Sequence, residues 1–245
     1  MRIAILDDDP LLLDLLQAMT ESLGHVCHTF GTGAALLKTL RRDSFDLLIV
    51  DWHLPDMDGP EVVRAARALT GSQIPILFVT RRQDEQDIVE ALASGADDFM
   101  TKPVRIGEFS ARINALRRRA YPDQSADALS FGRYRFDAPT RSLHLDGAAL
   151  ELTELEYALA LFMFQNSGRL LSREHLREMV WGQTHEVTSR TIDTHISRLR
   201  SKLKLGTEYG YTVTAVYGTG YRLEVVAEMV EPATAPGAAA TPLQS

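Results

Sequence analysis

Along the first 119 residues, short apolar runs (RIAIL, VCHTF, DLLIV, PILFV and DDFM) alternate with segments whose apolar residues recur at helical spacing, at about 10–23, 33–42, 60–69, 84–94 and 106–119. Short runs with few polar interruptions predict strands buried on both faces, and the longer periodic segments predict amphipathic helices. Strict alternation of the two predicts an α/β doubly wound, five-stranded parallel sheet, with the flavodoxin-like order 2-1-3-4-5 as the expected topology. In such sheets ligands lie beyond the carboxyl ends of the strands.

The pattern changes after residue 119. Residues 120–128, AYPDQSADA, lose the apolar period and read as a linker. Short strand-like segments follow, RYRFD, SLHLD and ALELT, broken by Pro139 and Gly147. Thr153 with Glu156 forms a capping box for a helix over about 154–166, and Ser172 caps another to about 180. A third helix is predicted over 189–204, and YTVTAVYGTGYRLEV reads as a closing hairpin. The expected organisation is a first domain over 1–119, a linker over 120–128, an α+β domain over 129–226 and a disordered Ala/Pro-rich tail over 227–245.

Composition narrows the class. At 45% hydrophobic and 24% charged, the 245-residue chain is that of a globular protein long enough for two cores. No apolar run reaches membrane-span length, and aspartates follow the N-terminus too soon for a signal peptide, so a cytoplasmic protein without membrane contact is expected. The single cysteine, Cys27, excludes an internal disulfide and reads as a small core residue. The net charge of −7 is unevenly spread: residues 1–120 carry 14 bases against 18 acids, residues 129–223 carry 12 against 10. Within 190–204, Arg190, Arg198, Arg200, Lys202 and Lys204 face one acid, Asp193, which gives the second half a basic face.

The candidate chemistry lies at strand ends. Asp7 and Asp8 follow the first strand, Asp51 the third, Thr80 the fourth, and Lys102 stands just after the fifth. In the order 2-1-3-4-5 these residues converge on one edge. Adjacent carboxylates repel and destabilise a fold unless a cation neutralises them. Mg²⁺ takes hard oxygen ligands and keeps several waters, so two or three carboxylates suffice to hold it. A carboxylate can also act as a nucleophile toward phosphorus, and the resulting dianion requires a metal, a lysine and a hydroxyl donor. A lone strand-end aspartate is more ordinarily a cap, and Asp56 or Asp58 is expected to shape the turn to the helix near Gly59.

Through DDD, DLLIVDWHLPDMDG, ILFVT and GADDFMTKP, residues 1–119 resemble the receiver domain of two-component response regulators. The resemblance implies Asp51 as phosphoacceptor, and Mg²⁺ held by Asp7, Asp8, Asp51 and the backbone carbonyl of His53. It further implies Thr80 and Phe99 as switch residues, Lys102 as the phosphoryl-binding base, and a dimer surface including Asp97, Asp98, Glu108 and Arg112. Read from the residues alone, Asp97 and Asp98 are expected to pair with bases such as Arg112. Asp9 is given no metal role.

In SRTIDTHISRLRSKL, the apolar residues at 192, 196, 199 and 203 form one helical stripe. Arg190, Thr194, Ser197, Arg198 and Ser201 fall opposite, a pattern that suits a DNA major groove and equally a solvated surface. Residues 129–226 resemble the winged helix-turn-helix domain of OmpR/PhoB-type regulators through LTELEYALALFMFQNSGRLLSREHL, VWG, SRTIDTHISRLRSKL and YGTGYRL. That resemblance implies DNA contacts by the five residues above together with Arg200, Thr219 and Arg222. It also implies a loop from Gly182 to Thr188 facing RNA polymerase, and Trp181 reads as a core anchor.

The two resemblances together imply a transcriptional response regulator. They imply that a sensor histidine kinase phosphorylates it and that phosphorylation promotes homodimers expected to bind paired promoter half-sites in double-stranded DNA. Tyr217, Ser197, Arg81, His53 and Ile88 depart from the usual pattern. Two alternatives stand beside this reading: a DNA-binding protein whose receiver is a phosphorylation-independent scaffold, and a haloacid-dehalogenase-like phosphatase with Asp7 as nucleophile.

Overall fold

A computed structural model describes residues 1–70, 74–82, 84–121, 128–182 and 187–226. The linker and tail predicted above fall largely outside the described residues, as does most of the loop after Gly182.

The first region contains five parallel strands, β1 (Arg2–Leu6), β2 (Val26–Phe30), β3 (Leu47–Val50), β4 (Ile76–Thr80) and β5 (Asp98–Thr101), in the order β2-β1-β3-β4-β5. They alternate with α1 (Pro10–Ser22), α2 (Gly33–Leu40), α3 (Gly59–Thr70), α4 (Glu85–Ala93) and α5 (Ile106–Ala120). Strands β1, β3 and β4 are buried at every position, as expected for a sheet covered on both faces. Pleating divides each strand between two layers. Ile3 and Ile5 pack with Leu16 of α1 and Phe109, Ile113 and Leu116 of α5. Ala4 and Leu6 pack on the other side with Leu36 of α2, Val62 and Val63 of α3 and Ala91 of α4. Strand order reverses beside β1, so β1 and β3 flank the point where a ligand is expected.

The second region opens with an antiparallel sheet of β6 (Ala128–Phe131), β7 (Tyr134–Asp137), β8 (Ser142–Leu145) and β9 (Ala148–Leu150). α6 (Glu154–Gln165) starts at the capping box: Thr153 Oγ1 accepts from Glu156 N, and the Glu156 carboxylate accepts from Thr153 N. β10 (Leu170–Ser172) leads into α7 (Arg173–Leu176), with Ser172 as its cap. The helix expected to reach residue 180 instead widens into a π turn over Arg177–Trp181 and ends at Gly182, whose φ of 82° favours glycine. α8 (Ser189–Lys202) and the hairpin of β11 (Tyr211–Val216) and β12 (Gly220–Val225) complete a sheet of order β10-β12-β11. Its core joins Tyr134, Phe136 and Phe164 to Ile192, Ile196, Leu199 and Leu203, the apolar stripe of α8.

Among the described residues no helix is long and apolar enough to cross a membrane. Cys27 is buried in β2, and burial pushes its thiol up to about 12, so it behaves as a small core residue.

Candidate functional site

The parallel register brings the strand-end residues together. β1 and β3 end level with one another, Leu6 opposite Val50, so Asp7 and Asp51 emerge side by side. One carboxylate oxygen from each of Asp7, Asp8 and Asp51 lies within 4.8 Å of the others. Asp7 and Asp51 are buried while Asp8 is exposed, so the cluster opens to solvent on one side. Lys102, just after β5, reaches back across the edge: its Nζ donates to Asp7 at 2.7 Å and to Asp51 at 2.8 Å. The Lys102–Pro103 peptide is cis.

The backbone also holds the two buried acids. Asp51 Oδ1 accepts from the Trp52 N–H at 2.7 Å, and Asp7 Oδ1 from the Asp9 N–H at 3.0 Å. Burial, followed by repulsion from Asp51, pushes the Asp7 carboxyl above its ordinary value despite the bond from Lys102. Three carboxylates against one ammonium leave a formal surplus of two negative charges. Clustered hard oxygens with that surplus fit a divalent cation such as Mg²⁺.

The loop beyond Asp51 is drawn close by Gly59, whose N–H donates to the Trp52 carbonyl at 2.7 Å. A Cβ there would stand 2.5 Å from the Asp51 carbonyl oxygen and 2.7 Å from the Phe78 ring. Only glycine allows this close approach.

Thr80 is fully buried at the end of β4, and its hydroxyl accepts from the Arg82 N–H at 3.3 Å. Phe99 is half-buried on β5, in register with Phe78 of β4. His53 is exposed, with its ring Nε2 3.2 Å from Arg82 Nε. Arg82 also pairs with Asp87 at 2.6 Å and lies 4.8 Å from the Trp52 ring centroid. The arginine that reaches the loop after Asp51 is therefore Arg82, whereas Arg81 is exposed.

Other acids differ from or refine the sequence reading. Asp9 caps α1, accepting from Leu11 N and Leu12 N. Of the two acids expected at the turn to the helix near Gly59, Asp58 stands there, its carbonyl accepting from Glu61 N at 2.9 Å and Val62 N at 3.1 Å, while Asp56 caps α2, accepting from Gly33 N at 3.0 Å and Ala34 N at 2.8 Å. Asp98 pairs with Arg112 at 2.8 Å, and Arg112 also binds Glu108 at 2.8 Å, but Asp97 pairs with Arg67 of α3 at 2.6 Å.

In the second region, α8 turns Arg190, Thr194, Ser197, Arg198 and Ser201 to solvent while its apolar stripe is buried. The hydroxyls of Thr194 and Ser201 bond back to the Arg190 and Ser197 carbonyls. Among the described residues neither Arg190 nor Arg198 forms an ion pair. Asp193 anchors the helix from its other side, accepting from Arg173 at 2.9 Å and from the Tyr221 hydroxyl at 2.6 Å. Arg200 is turned inward and donates to the Val213 carbonyl at 2.7 Å. Thr219 and Arg222 line a cavity of about 520 Å³ together with Arg41 and Arg169. Tyr217 stands fully exposed at the tip of the β11–β12 hairpin. Trp181 packs against the core with its ring 5.4 Å from that of His195.

An exposed basic helix above a packed core, joined to a sheet with an acid cluster at its edge, matches known proteins in both halves. Residues 3–114 match the response regulator receiver domain family, and residues 147–223 match the family described as transcriptional regulatory protein, C terminal. The chain is 35% identical over 221 residues to the DNA-binding response regulator MtrA of Mycolicibacterium smegmatis, covering 90% of this chain and 96% of that protein. It is 37% identical over 224 residues to the response regulator protein PmrA of Pseudomonas aeruginosa, covering 91% and 98%. Among solved structures it is similar to the response regulator DrrB of Thermotoga maritima, with 27% identity, coverage of 91% and 98%, and a TM-score of 0.45. The chain belongs to the two-component response regulators of the OmpR/PhoB type, with an N-terminal receiver and a C-terminal winged-helix DNA-binding domain.

Proposed function

We propose that Asp51 is the phosphoacceptor through which a sensor histidine kinase controls DNA binding by this regulator. The observation that carries the proposal is the fork of Lys102 Nζ between Asp7 and Asp51, beside three carboxylates that share one cation-sized space. An Asp51 oxygen attacks the donor phosphorus, the leaving group departs from the opposite face, and an acyl phosphate remains on the side chain. Lys102, already within hydrogen-bond reach of Asp51, holds the new phosphoryl charge. Asp7, Asp8, Asp51 and the carbonyl of His53 would hold Mg²⁺, whose chemistry there would be to offset the negative charge of the transferring phosphoryl group. Thr80 supplies the hydroxyl that follows the phosphoryl oxygens, and Phe99 repacks with it. Leu11, 79% exposed at the start of α1 beside the acid cluster, suits contact with the phosphodonor.

The surface of α4, β5 and α5, with Val89, Leu92, Asp97, Asp98, Glu108 and Arg112, is the proposed homodimer contact. Pairing two winged-helix domains raises their effective concentration at paired half-sites. Arg190, Thr194, Ser197, Arg198 and Ser201 are the proposed groove contacts, with Arg200 holding the helix on β11 and Thr219 and Arg222 at the base of the wing. The loop after Gly182 is the proposed RNA polymerase contact, and the cytoplasm the proposed location. The receiver assists its own phosphotransfer and hydrolysis and has no separate substrate.

The test is promoter-fragment binding by the full chain with and without acetyl phosphate, for wild type and Asp51→Asn. Tightening by about tenfold in wild type alone is expected for a coupling of ordinary size. Equal affinities under all four conditions would support the scaffold reading instead.

A further inference from the structure

The amino end of the receiver sheet, opposite the acid cluster, is bonded to the winged-helix domain through buried charge. Arg2, at the start of β1 and 1% exposed, donates from Nε to Glu178 of the π turn at 2.7 Å and pairs through NH1 with Asp43. Asp43 in turn accepts from the Ser172 hydroxyl. The Ser172 N–H donates to Ser44 Oγ at 2.9 Å, and His175 Nδ1 lies 2.9 Å from the same oxygen. Arg169 donates to Asp46 at 2.9 Å and to the Phe45 carbonyl at 3.2 Å, with its guanidinium 4.6 Å from the Tyr121 ring centroid.

We propose that this network is an interdomain latch that holds receiver and winged-helix domain in one fixed orientation, with the receiver against Thr219 and Arg222 at the base of the wing but away from the exposed side of α8 and from α4. Three observations carry it. Arg2, Asp46 and His175 are each more than nine-tenths buried, and Glu178 and Arg169 find their Arg2 and Asp46 partners only across the boundary, so separating the domains breaks buried ion pairs. The bonds are directional and interlocked: Ser44 and Ser172 each join two partners across the boundary, so sliding one domain breaks several at once. The groove-facing residues of α8 remain exposed, as do Val89 and Leu92 on α4, so the closed latch leaves both DNA and a second receiver room to approach. The inference concerns the resting chain and does not depend on phosphorylation of Asp51.

In the full chain carrying Cys27→Ala, a Ser44→Cys/Ser172→Cys pair replaces two hydroxyl oxygens that lie 3.4 Å apart. Oxidised glutathione is expected to close this disulfide at least about tenfold faster than a control pair at Ser44 and Ser197, because only the first pair is held in bonding range. Glu178→Gln, which keeps side-chain shape and removes one latch charge, is expected to slow closure by about threefold or more. Equal closure rates for the two pairs would overturn the latch. Wild-type protein supplies an independent reading: ¹⁵N relaxation is expected to give both domains one rotational correlation time, and two distinct times would overturn the proposal without any variant. The disulfide-closed protein is expected to bind a random-sequence DNA duplex within about twofold of its reduced form, because the exposed side of α8 stays free, and a loss of about tenfold would show that the latch covers α8 and overturn the proposed orientation.

Discussion

The two ends of the receiver sheet use similar residues in opposite ways. At the carboxyl end, Asp7, Asp8 and Asp51 share the single ammonium of Lys102. At the amino end, Asp43, Asp46 and Glu178 face the guanidinium groups of Arg2 and Arg169 and the imidazoles of His28 and His175. The carboxyl groups record the difference. Burial raises Asp7 above its ordinary value of 3.8. Burial also acts on Asp43, Asp46 and Glu178, yet their cationic neighbours outweigh it and hold all three low. One end is left short of cations where a ligand is to bind; the other is satisfied where two domains must stay together.

The largest effect that sharpens this contrast is expected at the satisfied end. Asp46→Asn removes the partner of Arg169 and His175 and should destabilise the folded chain by about 3–5 kcal/mol at neutral pH, read by urea unfolding. Because the folded pKa of Asp46 is depressed, the carboxylate contributes stability above its unfolded value near 3.8 and loses it as pH falls through the folded value. The deficit of the variant should therefore shrink below about pH 4, and a deficit constant with pH would break the comparison.

Next in size is Lys102→Ala. Loss of the ammonium should slow phosphoryl uptake from acetyl phosphate by about 10²–10³. The same change should tighten Mg²⁺ binding, because three carboxylates then face the ion without a competing cation. Trp52 directly follows Asp51, and its backbone N–H donates to that carboxylate, so the indole next to the site is expected to report the ion by fluorescence in a Trp181→Phe background. Weaker Mg²⁺ binding in the variant would contradict the charge count.

A smaller effect of opposite sign is expected at Asp7. Its raised pKa means that ionisation opposes folding above the folded value, and the penalty disappears as pH falls below 3.8. Asp7→Asn should raise stability by about 1 kcal/mol at pH 7 while weakening Mg²⁺ binding, with no gain at low pH. Destabilisation at neutral pH would place Asp7 among the satisfied acids. The smallest effect belongs to Asp56→Ala, which removes the α2 cap and should lower stability by about 1 kcal/mol without altering phosphoryl uptake.

Much of the carboxyl end was legible in the chain because strand order converts positions in sequence into positions on an edge. Five apolar runs, each ending in a polar residue, suffice to place Asp7, Asp51, Thr80 and Lys102 together. The capping box at Thr153 and the buried stripe of α8 were legible for a similar reason, since their partners lie within two helical turns. What failed was remote. Asp58 shapes the turn into α3 as the local sequence suggests, but Asp56 caps a helix 22 and 23 residues upstream, a distance at which no spacing rule selects α2 over α3. Asp97 finds Arg67, 30 residues away, instead of a base on α5. The latch joins residues 123 to 176 positions apart, and Arg2 read as the unremarked start of an apolar strand. The change from α to π winding at Arg177 leaves the apolar pattern intact and so carries no signal in the sequence.

The most direct test of the central claim is intact mass after incubation of wild type and Asp51→Asn with acetyl phosphate, with and without Mg²⁺. One phosphoryl adduct that requires both Mg²⁺ and Asp51 is the expected result. An adduct of equal yield in Asp51→Asn, or none in Lys102-intact wild type under conditions that load a known receiver, would contradict the assignment of this edge as the phosphorylation site.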